Sequence, residues 1–207
     1  MWNWPRGSAE PALLADDALA GEADRKIAYG RTQQDKHKTG DTGMIGRRAF
    51  LGTGAFFALV GCSSKFKRYD GPEVTRILVF KDKRKMYLVH HDRALKSYDI
   101  DLGSAPVGDK THEGDGRTPE GRYVIDRRNP NSDYHLSLGI SYPNAADIAE
   151  ARALGKDPGG DIFIHGRSRE NRGKGPDWTA GCISVKDKEM EDIYAMVRLG
   201  TVIDIFP

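Results

Sequence analysis

Apolar and polar residues alternate over 74–80 and again over 85–90, with the charged turn Asp82-Lys83-Arg84 between them. A period of two predicts half-buried strands, and a third such run at 94–102 makes the three a β-meander. Residues 103–121 form a long polar loop rich in glycine and proline, closed by the turn signal Thr118-Pro119-Glu120-Gly121. Strand pattern returns at 122–128 and at 135–141, where Gly139 marks a bulge, and Tyr142-Pro143-Asn144 breaks it. Asn144 predicts the cap of a helix over 145–154 that Gly155 stops. Pro158-Gly159-Gly160 turns the chain into a strand at 161–165, and 181–185 is another short strand. Asp187 predicts the cap of a helix over 188–199, with Met190, Ile193, Tyr194 and Val197 on one face, and Gly200 ends it. A last strand covers 201–206. The pattern predicts a mainly β domain over 74–207, with one or two helices packed on a sandwich or mixed sheet, and that length suffices for one core.

Upstream the pattern changes. Residues 1–43 are polar and without sustained periodicity, and are expected to be a disordered or mis-assigned extension that carries no chemistry. Residues 44–62 read as an export signal. Gly46-Arg47-Arg48-Ala49-Phe50-Leu51-Gly52 resembles a twin-arginine motif. The apolar run 49–60 is far shorter than the about 20 residues a bilayer span needs, and suits a signal-peptide core. Leu59-Val60-Gly61-Cys62 resembles a bacterial lipobox, which implies lipidation of Cys62 and residues 63–73 as a tether. The expected location is therefore the cell envelope or periplasm, anchored to a membrane surface.

Composition narrows the classes. With 38% hydrophobic and 30% charged residues, the chain is neither a multi-span membrane protein nor wholly disordered. A net charge of +2 without a basic block interleaved with aromatics gives no support for nucleic-acid binding. There is no dinucleotide or phosphate-loop motif. The chain has two cysteines and lacks CxxC and HxxxH spacing, so no metal site is expected.

What remains is a thiol and an imidazole. Asp161-Ile162-Phe163-Ile164-His165-Gly166 puts a histidine at the end of an apolar strand, and Thr179-Ala180-Gly181-Cys182-Ile183-Ser184 puts a cysteine at the start of another. An imidazole that takes the thiol proton makes a nucleophile for acyl transfer. Gly181 permits a tight turn, and amides near Gly181 and Cys182 could donate to an oxyanion. Spacing alone leaves open that Cys182 is ordinary core and that His165 satisfies a local hydrogen bond. The loop 167–178 carries Arg167, Arg169, Arg172 and Lys174, which could grip carboxylates or merely face water. Trp178 either walls the site or packs.

From about 74 to 206 the chain resembles the L,D-transpeptidase (YkuD-type) catalytic domain. That signature is a His-Gly pair, a variable loop, then Ser/Thr-His-Gly-Cys and an apolar residue. His165-Gly166 matches the first part, and Thr179, Gly181, Cys182 and Ile183 match the second. The stretches 114–123, 129–132 and 140–144 add to the likeness. Ala180 replaces the signature histidine and Ser184 the closing asparagine, so no role of that histidine is carried over.

The resemblance implies that Cys182 attacks the third residue of a peptidoglycan stem tetrapeptide, that D-alanine leaves, and that an acceptor amine on a second stem or an envelope protein resolves the thioester. It implies no cofactor, and a base His165 oriented by the Gly166 carbonyl. It also implies a cleft lined by Tyr134, His135 and Ser141, and Arg167, Trp178 and Thr179 are expected to join them in binding substrate. Hydrolysis, as a carboxypeptidase or on peptide–protein links, is the alternative enzymatic outcome. A catalytically inactive peptidoglycan-binding lipoprotein is the alternative of another class.

Overall fold

The computed structural model describes residues 64–171 and 173–207. The extension, the signal and Cys62 lie outside the described residues, as does Arg172. The described chain runs β1 (Arg76–Phe80), β2 (Lys85–His90), β3 (Arg93–Asp99), β4 (Gly121–Asn129), β5 (Ser137–Ile140), α1 (Ala145–Ala153), β6 (Phe163–His165), β7 (Ile183–Ser184), α2 (Asp187–Met196) and β8 (Val202–Phe206). The strands form one mixed sheet in the order β3-β2-β1-β8-β4-β5-β6-β7. The fold is thus mostly β with two helices.

The alternating runs pair as their pattern requires. β1, β2 and β3 make the antiparallel meander, and β8 adds to β1 in parallel. Ile77, Met86, Leu88, Ile125, Leu138, Ile140, Ile164, Ile183, Met190, Ile193 and Ile203 are fully buried and form one core. Removing such apolar surface from water is the main driving force for the fold.

The third strand stops at Asp99 rather than 102. Residues 101–103 leave β2 and cross to the far end of the sheet. Asp101 and Ser184 exchange both backbone hydrogen bonds, at 2.9 and 2.8 Å, and Gly103 bridges to Thr179. The sheet therefore curls until its two end segments meet. At the closure, a Cβ on Gly103 would lie 2.0 Å from the Gly116 carbonyl, so only glycine lets the backbones approach.

The first helix forms as expected: the Asn144 side chain accepts from Ala146 N–H at 2.7 Å, and Asp147 reaches back to Asn144 N–H at 2.7 Å. The second differs at both ends. Lys186 occupies the cap position and Asp187 is already helical. Instead of capping, the Asp187 carboxylate accepts from Arg167 N–H at 2.7 Å. The helix ends at Met196, three residues before 199. Val197 is buried and extended, and the Arg128 guanidinium takes the Val197 carbonyl and, at 2.6 Å, that of Tyr194. Two of the carbonyls left over at the helix end are thereby satisfied without further helix.

Two lysines hold down the loop 103–121. Lys81, only 2% exposed, donates to the Gly108 and Thr118 carbonyls and to Glu120 Oε1, at 2.6, 2.8 and 2.8 Å. Lys110 is buried on Asp115 Oδ1 at 2.9 Å.

Residues 64–69 lie along the domain as a strap. Lys65 donates to the carbonyls of Pro130 and His135, at 2.7 and 3.0 Å. Phe66 meets the Tyr194 ring at 6.4 Å, and Lys67 pairs with Asp192 at 2.7 Å.

Candidate active site

β6 and β7 run parallel, with Ile164 opposite Ile183 and His165 opposite Ser184. Residues opposed in this way share a face, and so do residues two apart along a strand. Ile164 and Ile183 face the core. Phe163 and His165 on β6, and Cys182 and Ser184 at β7, therefore share the other face. The thiol and the imidazole lie on one side of neighbouring chain segments, one diagonal step apart.

The imidazole is fixed by its surroundings. His165 is 4% exposed, and its Nδ1 lies 2.7 Å from the Gly166 carbonyl. A carbonyl only accepts, so Nδ1 carries the proton and Nε2 of the neutral ring keeps a lone pair. Tyr134 packs on the ring at 4.5 Å between centroids and Trp178 meets it edge-on at 5.7 Å. Gly166 must be glycine, because a Cβ there would lie 2.8 Å from Asp187 Oδ1 and 3.0 Å from the Tyr134 carbonyl.

The sulfur sits at the start of β7. Cys182 Sγ accepts from Phe163 N–H at 3.4 Å and donates to the Asp161 carbonyl at 3.5 Å. It makes no hydrogen bond to His165 in this resting geometry, a looseness common in unliganded sites. Thr179 shapes the turn that presents it: its hydroxyl donates to the Cys182 carbonyl at 2.7 Å and accepts from Gly181 N–H at 3.1 Å. The Gly181 amide is thus spent on Thr179, which leaves Cys182 N–H, without a partner among the described residues, as the donor available to an oxyanion.

Burial sets the resting charge state. It pushes the Cys182 thiol above its ordinary range, and the Asp161 carboxylate adds to that, against the Phe163 N–H and the Lys110 charge. Burial likewise holds His165 below the usual imidazole value, and the nearby Arg167 charge helps, although the Gly166 carbonyl favours the protonated ring. The resting pair is therefore a neutral thiol beside a neutral base. A stated consequence is that iodoacetamide alkylates Cys182 more slowly than free cysteine at pH 8, with a rate that keeps rising beyond the pH where free cysteine levels off. An alkylation rate that is already flat near pH 7 would reveal a thiolate–imidazolium pair instead. If His165 acts as the base, its lowered pKa is expected to hold the acid limb of the pH–rate profile below the usual imidazole value.

The other sequence candidates divide. Tyr134 and Trp178 stand at the imidazole, and the Trp178 Nε1–H is buried without a partner among the described residues. Arg167 is committed within the protein: its guanidinium pairs with Asp101 and donates to the carbonyls of Asn171 and Lys174, at 3.3 and 3.1 Å. It also borders a cavity of about 660 Å³, lined by Asp99, Asp101, Val185 and Asp187 among others, that does not include Cys182. His135 turns its ring away onto Glu191 Oε1 of α2, at 3.1 Å. Ser141, just past the end of β5 and four residues beyond the partner of His165, accepts from Val124 N–H at 3.0 Å. Among the described residues no group of three or more His, Cys, Asp or Glu is placed to ligate a metal ion.

Several positioning groups carry no sequence signal. Asp187 and Asp101 anchor the two ends of Arg167, and Asp177 binds Leu102 N–H at 3.0 Å and Arg84 through both oxygens, just ahead of Trp178. Their partners lie 20 to 93 residues away in the chain.

A curled mixed sheet that sets a cysteine beside a histidine, with the ring locked by the carbonyl of the next residue, defines a thiol–imidazole site suited to acyl transfer. Residues 74–205 match the L,D-transpeptidase catalytic domain (YkuD) model, and the chain belongs to that family. Among curated relatives, the candidate L,D-transpeptidase YafK of Escherichia coli K12 is 28% identical over 156 residues, which cover 69% of this chain. The match spans 58% of that relative's length. Among solved structures, the helical cell shape determining protein Pgp2 from Campylobacter jejuni superimposes with a TM-score of 0.52 at 26% identity, covering 66% of this chain and 49% of that one.

Proposed function

We propose that the protein is a cysteine-dependent peptidoglycan L,D-transpeptidase. The observation that carries this is the shared face of Cys182 and His165, with the imidazole tautomer set by Gly166. In the reaction, Sγ turns from the Asp161 carbonyl toward Nε2, which takes the thiol proton. The sulfur attacks the carbonyl of the third residue of a stem tetrapeptide, and the oxyanion lies toward Cys182 N–H. The C–N bond breaks, and the imidazolium returns its proton to the departing D-alanine amine. An acceptor amine on a second stem, or on an envelope protein, then attacks the thioester and gives a proton to Nε2. The C–S bond breaks and the thiol is restored.

Hydrolysis is the second reading, and one observation favours it. Ser184 is fully buried, its hydroxyl has no partner among the described residues, and it opposes His165 across the strand pair. A water held between that hydroxyl and Nε2 would resolve the thioester to a free acid. Export and lipid anchoring through Cys62 belong to the same proposal, supported by the order of arginine pair, apolar run, glycine and cysteine.

The test is mass spectrometry of purified muropeptides incubated with the protein, with and without an acceptor amine. A cross-linked or amine-capped product with loss of D-alanine is expected, and a tripeptide acid in both arms selects the hydrolytic reading. Release of D-alanine without a thioester on Cys182 would falsify the cysteine mechanism altogether.

A further inference from the structure

The strand register lays out one row of side chains that reaches the sulfur from the exposed flank. Arg127 of β4 opposes Gly139 of β5, and Gly139 opposes Phe163 of β6. One step back from the Ile164–Ile183 pair, Phe163 stands beside Cys182, and its N–H points at Sγ. Directly opposed residues share a face, so Arg127, Phe163 and Cys182 are on the same side, with a gap at the glycine.

Arg127 leans through that gap. A Cβ on Gly139 would lie 2.8 Å from Arg127 Nε and 3.0 Å from its Cβ. The guanidinium carbon rests 4.9 Å from the Phe163 ring centroid, and Nη1 binds Asp161 Oδ1 at 3.0 Å. Phe163 and Asp161 are the two residues whose backbone groups touch the sulfur. The cation is thus held at the rim of the nucleophile.

Among the described cations near the site, Arg167 is tied to Asp101, Lys110 is buried on Asp115, and Lys174 lies over the Trp178 ring at 5.4 Å. Arg127 differs, because its side chain is 45% exposed and its two partners, Asp126 at 3.2 Å and Asp161 at 3.0 Å, are 37% and 83% exposed. Exposed pairs of this kind contribute little, and a carboxylate that offers both oxygens to the guanidinium can replace Asp161.

We infer that Arg127 docks the terminal carboxylate of the leaving residue of the acyl donor, and so selects donors that end in a free acid. The assignment rests on the transpeptidase reading, since it takes Cys182 as the attacking group. The carboxylate of the leaving residue is separated from the scissile carbonyl by one amide nitrogen and one carbon, so it must lie on the rim around the sulfur. A guanidinium already poised there supplies two donors without reorganising the backbone.

The experiment compares a stem tetrapeptide with the same peptide ending in a carboxamide, using the full chain and following release of the last residue. Wild-type protein is expected to favour the acid. Arg127→Ala is expected to raise KM for the acid by roughly ten- to thirty-fold and leave the amide unchanged. Arg127→Lys should recover part of the loss. Equal losses on both peptides, or no preference in the wild type, overturn the assignment. Turnover of neither peptide, with no adduct on Cys182, removes the transpeptidase reading and this inference together. A preference for the acid that survives Arg127→Ala removes the inference alone.

Discussion

Cys182→Ala is expected to abolish the acyl adduct and lower turnover of a tetrapeptide donor by about three to six orders of magnitude, the range for losing a covalent nucleophile. The substitution is small, and the hydrogen bonds it removes are those to Phe163 N–H and the Asp161 carbonyl, so the fold has little to lose. Intact mass measured after incubation with a carbapenem-type inhibitor checks the first part: the wild type gains one inhibitor mass and the variant gains none. Release of D-alanine, followed over hours, checks the second. The variant should still bind isolated sacculi, because the groups around the sulfur are unchanged. Residual activity within ten-fold of wild type would mean that the thiol is not the attacking group, whatever its neighbours.

Gly181→Ala is the second large effect, and it acts through the backbone. Gly181 holds φ at +133°, which side-chain-bearing residues rarely adopt, and an added Cβ would come within 2.6 Å of the Arg117 carbonyl. Neither the residue nor the carbonyl can yield cheaply, because Arg117 belongs to the loop fastened by Asp115, whose oxygen takes the Arg117 N–H at 3.0 Å. The turn that carries Cys182 must shift instead. Displacement of a reacting atom by about 1 Å costs roughly 100-fold in rate, and the strained backbone costs about 1–3 kcal/mol of stability. The paired measurements are kcat for donor turnover and the midpoint of urea unfolding. A variant that folds with wild-type stability and keeps its rate would show that the turn is not under this constraint.

Much of the fold was legible because the meander and the first helix obey local rules. The alternation in 74–80 and 85–90 matches the burial of β1 and β2, and the Asn144 cap works through its own side chain. The misreadings fall where distant groups intervene. Residues 101 and 102 keep a strand-like pattern, yet they bond to the 179–184 segment rather than to β2, and no local pattern encodes that choice. Asp187 looks like a cap, but a backbone amide 20 residues upstream captures its carboxylate. The second helix stops early because Arg128, far behind it in the chain, binds its terminal carbonyls.

The site was legible in its chemistry and less so in its electrostatics. His165 and Cys182 stand out as a motif, and Tyr134 and Trp178 fall in place around the imidazole. Which arginines are tied up inside the protein was not readable. Arg167 looks available in a glycine-rich polar loop, but the curled sheet brings Asp101 to it. Arg127 looks like an ordinary outward residue of a strand, and only the register across Gly139 shows where its guanidinium goes.

The docked strap sets a working height. Lys65 is pinned to the hairpin tip beside Tyr134, and only two residues separate it from Cys62. At about 3.5 Å per residue, a lipid carried on Cys62 would have a leash of roughly 10 Å. If Cys62 carries the proposed lipid, the domain would stay within that leash of the membrane surface unless the strap peels off.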